Sequence, residues 1–408
     1  MQEGRYWPAK DKIRFAQLTA DLPARDSVRI LYILTSLGVG GAEKQVIDLA
    51  VRMAANGHSV ALLVLKHADE EWPVKLPVMR LNIAKTPTGI VRGLRFAKKF
   101  LALFRADIVH SHTFPANIFA RLLKGMVLTG GNAPKLVNTI HNVHEGAWHR
   151  MLIYGATDPL ANEVTAVSGA AADRFLKLHA VPAKKMRVLT NGIDTEAFSP
   201  DRSRRKRVRT QMQAGKDFVW IAVGRLAPAK DYPNLLRAFE GVRSQYPPAR
   251  LWVVGEGDVE QWKAGRSAGR SGEHAGGHAG DGAAIGVEWL GLRRDVADLL
   301  DAADGYVLSS AWEGMPLALA EAMAMEKVVV ATDVGGVREL AGDAGWIVPS
   351  KDSSALAKGM IQAMGMNDFE RKAMGKQARE RVISQFSMAA KAAEWQRFYA
   401  ELVYDKSS

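Results

Sequence analysis

Residues 28–66 read VRILYILTSLGVGGAEKQVIDLAVRMAANGHSVALLVLK. The first ten residues form a nearly continuous apolar run rich in branched side chains, which is typical of a parallel strand buried on both faces. A turn at Gly40 and Gly41 follows, and apolar residues then recur at helical spacing until Asn56. A second apolar run begins at Val60. This order predicts the strand–helix–strand unit of a doubly wound α/β fold.

The same alternation continues along the chain in two series, one ending near residue 200 and one beginning near residue 211. Between them, DRSRRKRVR at 201–209 contains six Lys or Arg, and we predict a linker there because like charges repel and resist packing. We therefore expect two Rossmann-like domains, each a parallel sheet covered by helices, with ligands bound in the cleft between them. The predicted segments are a loose extension at 1–28, a first domain at 29–200, a basic linker at 201–210, a second domain at 211–385 and a C-terminal helix at 386–408.

The composition excludes several classes of protein. The 408-residue chain is 48% hydrophobic and 24% charged, as expected for a globular protein and not for a disordered or fibrous one. No apolar run reaches the roughly 18–20 residues that span a bilayer, and the N-terminal residues lack the apolar stretch of a secretory signal. Because cysteine is absent, disulfides, thiolate metal sites and a cysteine nucleophile are excluded. These features predict a cytoplasmic protein.

Positive charge is concentrated in the first half of the chain. The net charge is +12, and residues 1–210 hold 32 Lys and Arg against 17 Asp and Glu, whereas residues 211–408 hold 23 against 26. A basic half predicts an anionic partner, such as nucleic acid, a phosphorylated lipid or a membrane surface. The alternative is a solubilising surface that has no partner.

Two cations follow the first strand of the second series. Gly224 and Arg225 end the strand in FVWIAVGRL, and Lys230 comes five residues later. Because strand ends of a doubly wound sheet face the ligand, these two cations are placed to clamp a diphosphate. The alternative is a pair of solvated surface charges.

The densest cluster of candidate residues is SSAWEGMPLALAEAMA at 309–324. Glu313 and Glu321 are separated by eight residues, which we expect to rise about 12 Å along a helix, so that they meet opposite ends of an elongated ligand. Carboxylates accept hydrogen bonds from sugar hydroxyls; the alternative is a buried structural carboxylate. Free backbone amides at the predicted helix start offer a phosphate-binding site at Gly314, Met315 and Leu317.

Histidines and glycines follow the strands of the first series. The Gly40–Gly41 turn offers amides to an anion but lacks the third glycine of a dinucleotide fingerprint. Four histidines come at predicted strand ends, namely His110, His112, His141 and His144. We expect His141 to contact the reacting groups or an acceptor, while a three-histidine metal site and ordinary buried polar groups are the alternatives.

Taken together, the motifs resemble one known family. SLGVGGAEKQ, ADIVHSH, TIHN, TNGIDTEAFSP, VGRLAPAKD and SSAWEGMPLALAEAMAM are jointly similar to the retaining glycosyltransferases of family 4, which have the GT-B fold. The resemblance covers about residues 29–404. It departs from the family at 264–286, a glycine-rich stretch that we expect to be a surface loop where relatives usually have a helix.

The resemblance implies a role for each candidate of the second domain. This domain would bind a nucleotide-sugar, with Arg225 and Lys230 on the diphosphate and Glu321 on the ribose hydroxyls. Glu313 would contact the transferred sugar, and the amides from Gly314 to Leu317, including that of Met315, would touch sugar and phosphate. The cations would replace a divalent ion, so that no metal or other cofactor is expected.

For the first domain the resemblance implies acceptor binding. His141 would face the transferred sugar and the incoming hydroxyl, and further acceptor contacts are expected at His110, His112 and Asn142. Gly40 and Gly41 would close over the diphosphate, and the tail helix would cross back to brace this domain. The implied acceptor is a glycan or a lipid-linked molecule, with the helix at 90–105 as a candidate contact for an anionic membrane surface.

Two other functions are weighed against this one. Another GT-B enzyme, such as a sugar-nucleotide epimerase, would share the donor site and need no acceptor. A nucleic-acid binder is suggested by charge alone, but the sequence has neither interleaved aromatic residues nor a recognisable binding module, so no nucleic-acid partner is expected.

Overall fold

The computed structural model describes residues 27–127, 133–264 and 286–404. The predicted N-terminal extension and the glycine-rich stretch lie almost wholly outside these ranges. The chain divides into two compact units, Met1–Gly192 with Met388–Ser408 as unit 1, and Ile193–Ser387 as unit 2.

Unit 1 is built on a seven-stranded, wholly parallel sheet in the order β3-β2-β1-β4-β5-β6-β7. Its strands are β1 Arg29–Leu34, β2 Ser59–Val64, β3 Val78–Arg80, β4 Ile108–His112, β5 Lys135–Ile140, β6 Glu163–Ala166 and β7 Met186–Val188. Its first five helices are α1 Gly41–Ala55, α2 Pro87–Phe104, α3 Phe114–Gly125, α4 Trp148–Thr157 and α5 Gly169–Lys177. The apolar run of β1 is buried from its second residue onward, as a central parallel strand requires.

Unit 2 is built on a six-stranded parallel sheet in the order β10-β9-β8-β11-β12-β13. The strands are β8 Val219–Val223, β9 Arg250–Val254, β10 Val287–Gly291, β11 Gly305–Leu308, β12 Val328–Thr332 and β13 Trp346–Val348. The helices are α6 Arg202–Gln211, α7 Tyr232–Gln245, α8 Val259–Ala264, α9 Val296–Ala302, α10 Leu317–Ala324, α11 Val337–Ala341, α12 Ser353–Gly365 and α13 Asp368–Phe386. The prediction of two doubly wound parallel sheets is confirmed.

The prediction of a linker in the basic run is wrong. Residues 202–211 form helix α6, and its N-cap Asp201 accepts hydrogen bonds from the first-turn amides. Arg204 Nε lies 2.9 Å from a carboxylate oxygen of Asp301, and Arg209 Nη1 lies 3.0 Å from one of Asp304. These aspartates lie on or just after α9, so charge repulsion within α6 is offset by partners about 100 residues later in the sequence.

The last described helix, α14 Met388–Tyr404, belongs to unit 1 and packs against α1. Its Trp395, Phe398 and Tyr399 join the apolar core on the α1 side of the sheet. Tyr399 also reaches the sheet itself, because its hydroxyl lies 3.2 Å from that of Tyr32 on β1. Across the described residues, no helix combines the length and apolarity needed to cross a membrane.

Candidate active site

In unit 2 the strand order reverses between β8 and β11. Strand β9 lies on one side of β8 and β12 lies beyond β11, so the loops that leave the carboxyl ends of β8 and β11 diverge. Such a switch point is where doubly wound sheets bind ligands. Arg225 and Lys230 follow β8, and Glu313 follows β11, so the topology brings three predicted residues to this edge.

Lys230 and Glu313 form a tight ion pair at the switch point. Lys230 Nζ lies 2.6 Å from Glu313 Oε1, and the Ser310 hydroxyl donates to the same oxygen at 2.6 Å. Ser309 ties the two loops further by donating to the Lys230 carbonyl at 2.7 Å. Glu313 is only 9% exposed, so its charge depends on these donors. The ammonium keeps further N–H donors for a ligand, since it has three.

The backbone that carries Glu313 is held by the loop after β12. Gly335 has φ +56°, and a Cβ there would lie 2.2 Å from the Glu313 carbonyl oxygen. The next amide, that of Gly336, donates to the Gly314 carbonyl at 2.7 Å. Only glycine allows this approach and this left-handed conformation together.

The surroundings of Arg225 differ from those of Lys230. Arg225 is exposed, and within the described part of the chain its guanidinium has no ion-pair partner. It is therefore available to an anion, whereas Lys230 is already ordered by Glu313. The two cations stand five residues apart around the short 3-10 turn Pro228–Lys230.

Helix α10 begins later than predicted. Its N-cap is Pro316, whose side chain provides no cap, so the first-turn amides point past the end of the helix without a side-chain partner at that position. The expected helical rise of about 12 Å between Glu313 and Glu321 does not apply, because residues 313–316 precede the helix. Glu321 is 7% exposed within α10, and Met315 is also buried.

In unit 1 two predicted histidines meet at the carboxyl ends of β4 and β5. His112 pairs with Thr139 in the sheet register, and His112 Nδ1 lies 3.0 Å from His141 Nε2. Burial lowers the pKa of His141 to about 4, and burial together with the neighbouring rings holds the pKa of His112 well below its usual value. Both rings are therefore neutral near pH 7, and one of them donates a hydrogen bond to the other across this contact. His112 Nε2 is buried and has no hydrogen-bond partner among the residues described.

The structure argues against the predicted acceptor contact of His110. Its Nδ1 lies 2.6 Å from the Tyr399 hydroxyl, and its Nε2 lies 2.6 Å from the Thr139 hydroxyl. The side chain is fully buried with both ring nitrogens occupied. His110 thus joins the tail helix to the sheet, and no ring nitrogen is left for a substrate.

The other predicted residues of unit 1 lie at the start of helix α1 and in the loop after β5. Gly40 is the N-cap of α1 with an extended backbone, and Gly41 is the first helical residue. A Cβ on Gly40 would lie 2.5 Å from a carboxylate oxygen of Glu43, the end of a flexible side chain that can move aside. The side chain of Asn142 accepts a hydrogen bond from the amide of His144 at 3.0 Å, which forms a local turn.

Sequence reasoning did not find two residues at these sites. Ser310 donates to Glu313. The sequence feature that could have identified it is its position just after a strand, three residues before that glutamate. Glu145 is buried behind His141, and the only signal was its place four residues later in the same loop. Among the described residues, no group of three or more His, Asp or Glu could hold a metal ion.

Two family models match this chain, one on each half. The model described as "Glycosyltransferase Family 4" matches residues 39–197, and that described as "Glycosyl transferases group 1" matches residues 217–365.

Similar proteins extend over most of the chain. A putative glycosyltransferase, EpsD of Bacillus subtilis, is 26% identical over 86% of this chain and 88% of its own length. A UDP-Gal:alpha-D-GlcNAc-diphosphoundecaprenol alpha-1,3-galactosyltransferase of Escherichia coli is 23% identical over 76% of this chain and 79% of its own. Among solved structures, Anabaena Alr3699/HepE in complex with UDP and glucose has a TM-score of 0.75 at 19% identity and covers 92% of this chain and 100% of its own. This likeness confirms the fold predicted from the motifs.

Proposed function

The chain belongs to the family 4, group 1 glycosyltransferases, and from that premise we propose that it moves a sugar from a nucleotide-diphosphate sugar to a hydroxyl of a glycan or lipid-linked acceptor. The observation that supports this most strongly is the Lys230–Glu313–Ser310 cluster at the switch point of unit 2, beside the exposed Arg225. The solved neighbour that holds UDP and glucose has the same fold and supports a donor of this class.

In the proposed reaction the positive groups of unit 2 stabilise the leaving diphosphate. As the bond between sugar and phosphate breaks, negative charge grows on the phosphate oxygens and positive charge on the sugar. Lys230 offers its remaining N–H donors to the diphosphate, Arg225 adds a planar fork of donors, and the first-turn amides of α10 face the same charge. These cations supply the charge that a divalent ion supplies in other transferases.

Retention of configuration follows if the leaving group acts as the base. A phosphate oxygen takes the proton of the acceptor hydroxyl on the face from which it departs, so the new bond forms on that same face. Glu313 serves as a ligand for the sugar in this scheme, because its Oε1 is already engaged by Lys230 and Ser310. His141, neutral near pH 7, contacts the transferred sugar and the acceptor hydroxyl.

We assign the product to cell-surface polysaccharide or glycolipid. The support is the activity of the Escherichia coli relative, whose acceptor is a sugar diphosphate of undecaprenol. An acceptor of that kind sits in a membrane, and we propose that this enzyme works in the cytoplasm, at the inner face of the cytoplasmic membrane.

The donor site is tested by thermal shift with UDP, GDP and their sugars. A nucleotide present at 100 times its Kd adds about 2.7 kcal/mol to the free energy of unfolding. For a unit of this size that corresponds to a rise of about 5–10 °C in the melting temperature. We expect Glu321→Ala to bind that nucleotide about 10- to 100-fold more weakly, because a charged hydrogen-bond acceptor for the ribose is lost. Glu380→Ala, an exposed glutamate on α13, should behave as wild type.

The thermal shift tests the donor site, and incubation of the protein with the donor alone separates a transferase from an epimerase. No shift with any nucleotide, or an unchanged shift in Glu321→Ala, would contradict the donor site. If the donor is converted into its epimer when no acceptor is present, the protein is an epimerase and the proposed transferase reaction is wrong.

The outer face of α2 is the proposed membrane contact. Exposed Arg95 and Lys99 lie on it beside Val91 and Leu103, which are 46% and 61% exposed. The opposite face is buried in the unit 1 core. A basic and apolar stripe of this kind suits an anionic lipid surface.

We expect flotation with anionic vesicles and little with zwitterionic ones. Because each cation near the surface adds to the attraction, Arg95→Gln with Lys99→Gln should weaken binding about 30-fold at low salt. Lys216→Gln with Lys358→Gln removes two exposed charges from unit 2 and serves as the control. Equal binding to both vesicle types would rule out this contact.

A further inference from the structure

Glu145 is a buried carboxylate in a loop whose other residues are exposed or half-buried. The loop joins β5 to α4, and three of its last four residues are exposed, whereas Glu145 is 9% exposed. A buried carboxylate is unfavourable unless donors surround it. Its Oε1 accepts the backbone N–H of His141 at 3.2 Å, and its Oε2 accepts the hydroxyl of Tyr154 at 2.7 Å.

The hydrogen bonds around Glu145 determine whether its side chain acts as a donor or as an acceptor. Asn117 Nδ2 donates to the Tyr154 hydroxyl oxygen at 2.9 Å, so the single hydroxyl proton of Tyr154 is directed to Glu145. The backbone N–H of His141 can only donate. Glu145 therefore faces two donors and satisfies both best as a carboxylate, because a carboxylate only accepts, whereas a protonated acid or an amide carries a donor of its own and has less acceptor capacity.

His141 is consequently held at two points. Glu145 holds its backbone, and His112 Nδ1 holds its ring at 3.0 Å from Nε2. The ring cannot rotate away without breaking the contact with His112, and the backbone cannot shift without leaving the buried carboxylate one donor short.

We propose that Glu145 is a positioning residue of the transfer reaction, whose carboxylate fixes the backbone of His141 so that its ring meets the reacting sugar. This inference rests on the role proposed above for His141. Glu145 itself does not touch the substrate and acts through the His141 amide.

The groups around Glu145 make its ionisation measurable. Burial raises the pKa of Glu145 to about 7, and the hydrogen bonds from Tyr154 and His141 and the charge of Arg150 oppose that rise. Arg150 donates to the Glu145 carbonyl at 2.8 Å, and Arg121 lies over the Tyr154 ring at 5.0 Å. Since the carboxylate is the positioning form, kcat is expected to rise as pH increases through about 7.

The test compares wild type with Glu145→Gln. The readout is UDP or GDP release from whichever of UDP-glucose, UDP-galactose, UDP-N-acetylglucosamine and GDP-mannose gives the largest thermal shift. We expect Glu145→Gln to lower kcat about 10-fold at high pH, to leave KM for the donor unchanged, and to flatten the pH profile between about pH 6 and about pH 8. Glu163→Gln, a partly buried glutamate at the amino end of β6, is the matched control and should keep the wild-type profile.

A second readout does not depend on substrate. In protein labelled with ¹⁵N-histidine, the backbone amide of His141 should titrate with the same inflection as kcat, and Tyr154→Phe should move that inflection to higher pH because a stabilising hydrogen bond is lost. A His141 amide that does not titrate, or an inflection that survives in Glu145→Gln, would overturn the proposal. If the amide titrates but no nucleotide-sugar is consumed, the proposed function fails instead.

Discussion

Replacement of Lys230 by alanine is expected to lower kcat/KM about 100- to 1,000-fold. Removing one preorganised donor from a developing negative charge typically costs about 2.7–4 kcal/mol in transition-state stabilisation. Lys230 is suited to that role because Glu313 holds its ammonium at 2.6 Å before any ligand arrives, so little reorganisation is needed during the reaction. Most of the loss should appear in kcat, since the charge is greatest in the transition state.

The measurement is steady-state release of the nucleotide, with melting curves to establish that unit 2 remains folded. Lys216→Ala removes an exposed lysine of the same unit and is expected to keep wild-type rates. If Lys230→Ala is about as active as Lys216→Ala, Lys230 does not take part in the reaction.

The strand-end rule explains why much of unit 2 could be predicted from the sequence. Apolar runs mark parallel strands, parallel strands of one sheet end at a common edge, and residues just after them collect there. This reasoning selected Lys230 and Glu313, although 83 residues separate them. Their direct contact could not be predicted, because it depends on β8 and β11 being neighbours, which is a property of strand order and not of either local sequence.

The same rule selected His110 in unit 1 as an acceptor contact, but in the structure both of its ring nitrogens are engaged by the protein itself. His110 and His112 lie two residues apart on β4, hence on one face, and their ring centroids are 4.0 Å apart. Which of the two is structural depends on Tyr399, which is 289 residues away on the tail helix. The basic run of α6 shows a similar limit, because the local sequence does not reveal its partners Asp301 and Asp304, which lie about 100 residues later.

Glu313→Gln is expected to lower kcat about 10- to 100-fold while UDP or GDP binding stays the same or tightens. The amide keeps the shape of the side chain but loses the charge that strengthens hydrogen bonds to a sugar carrying developing positive charge. Lys230, no longer neutralised by a carboxylate, presents more positive charge to the diphosphate. Turnover and nucleotide affinity should therefore change independently, and thermal shift alongside steady-state kinetics measures both.

A double-mutant cycle decides whether the 2.6 Å pair acts as one unit. If Glu313 orders Lys230, the Glu313→Gln change should lower kcat less in protein that already carries Lys230→Ala. The two effects on kcat should then depart from additivity by about 1–3 kcal/mol. Ser310→Ala removes the other donor to the same oxygen and should couple more weakly, because it is uncharged. Additivity of Lys230→Ala and Glu313→Gln within about 0.5 kcal/mol would mean that the two side chains act separately, in spite of their contact.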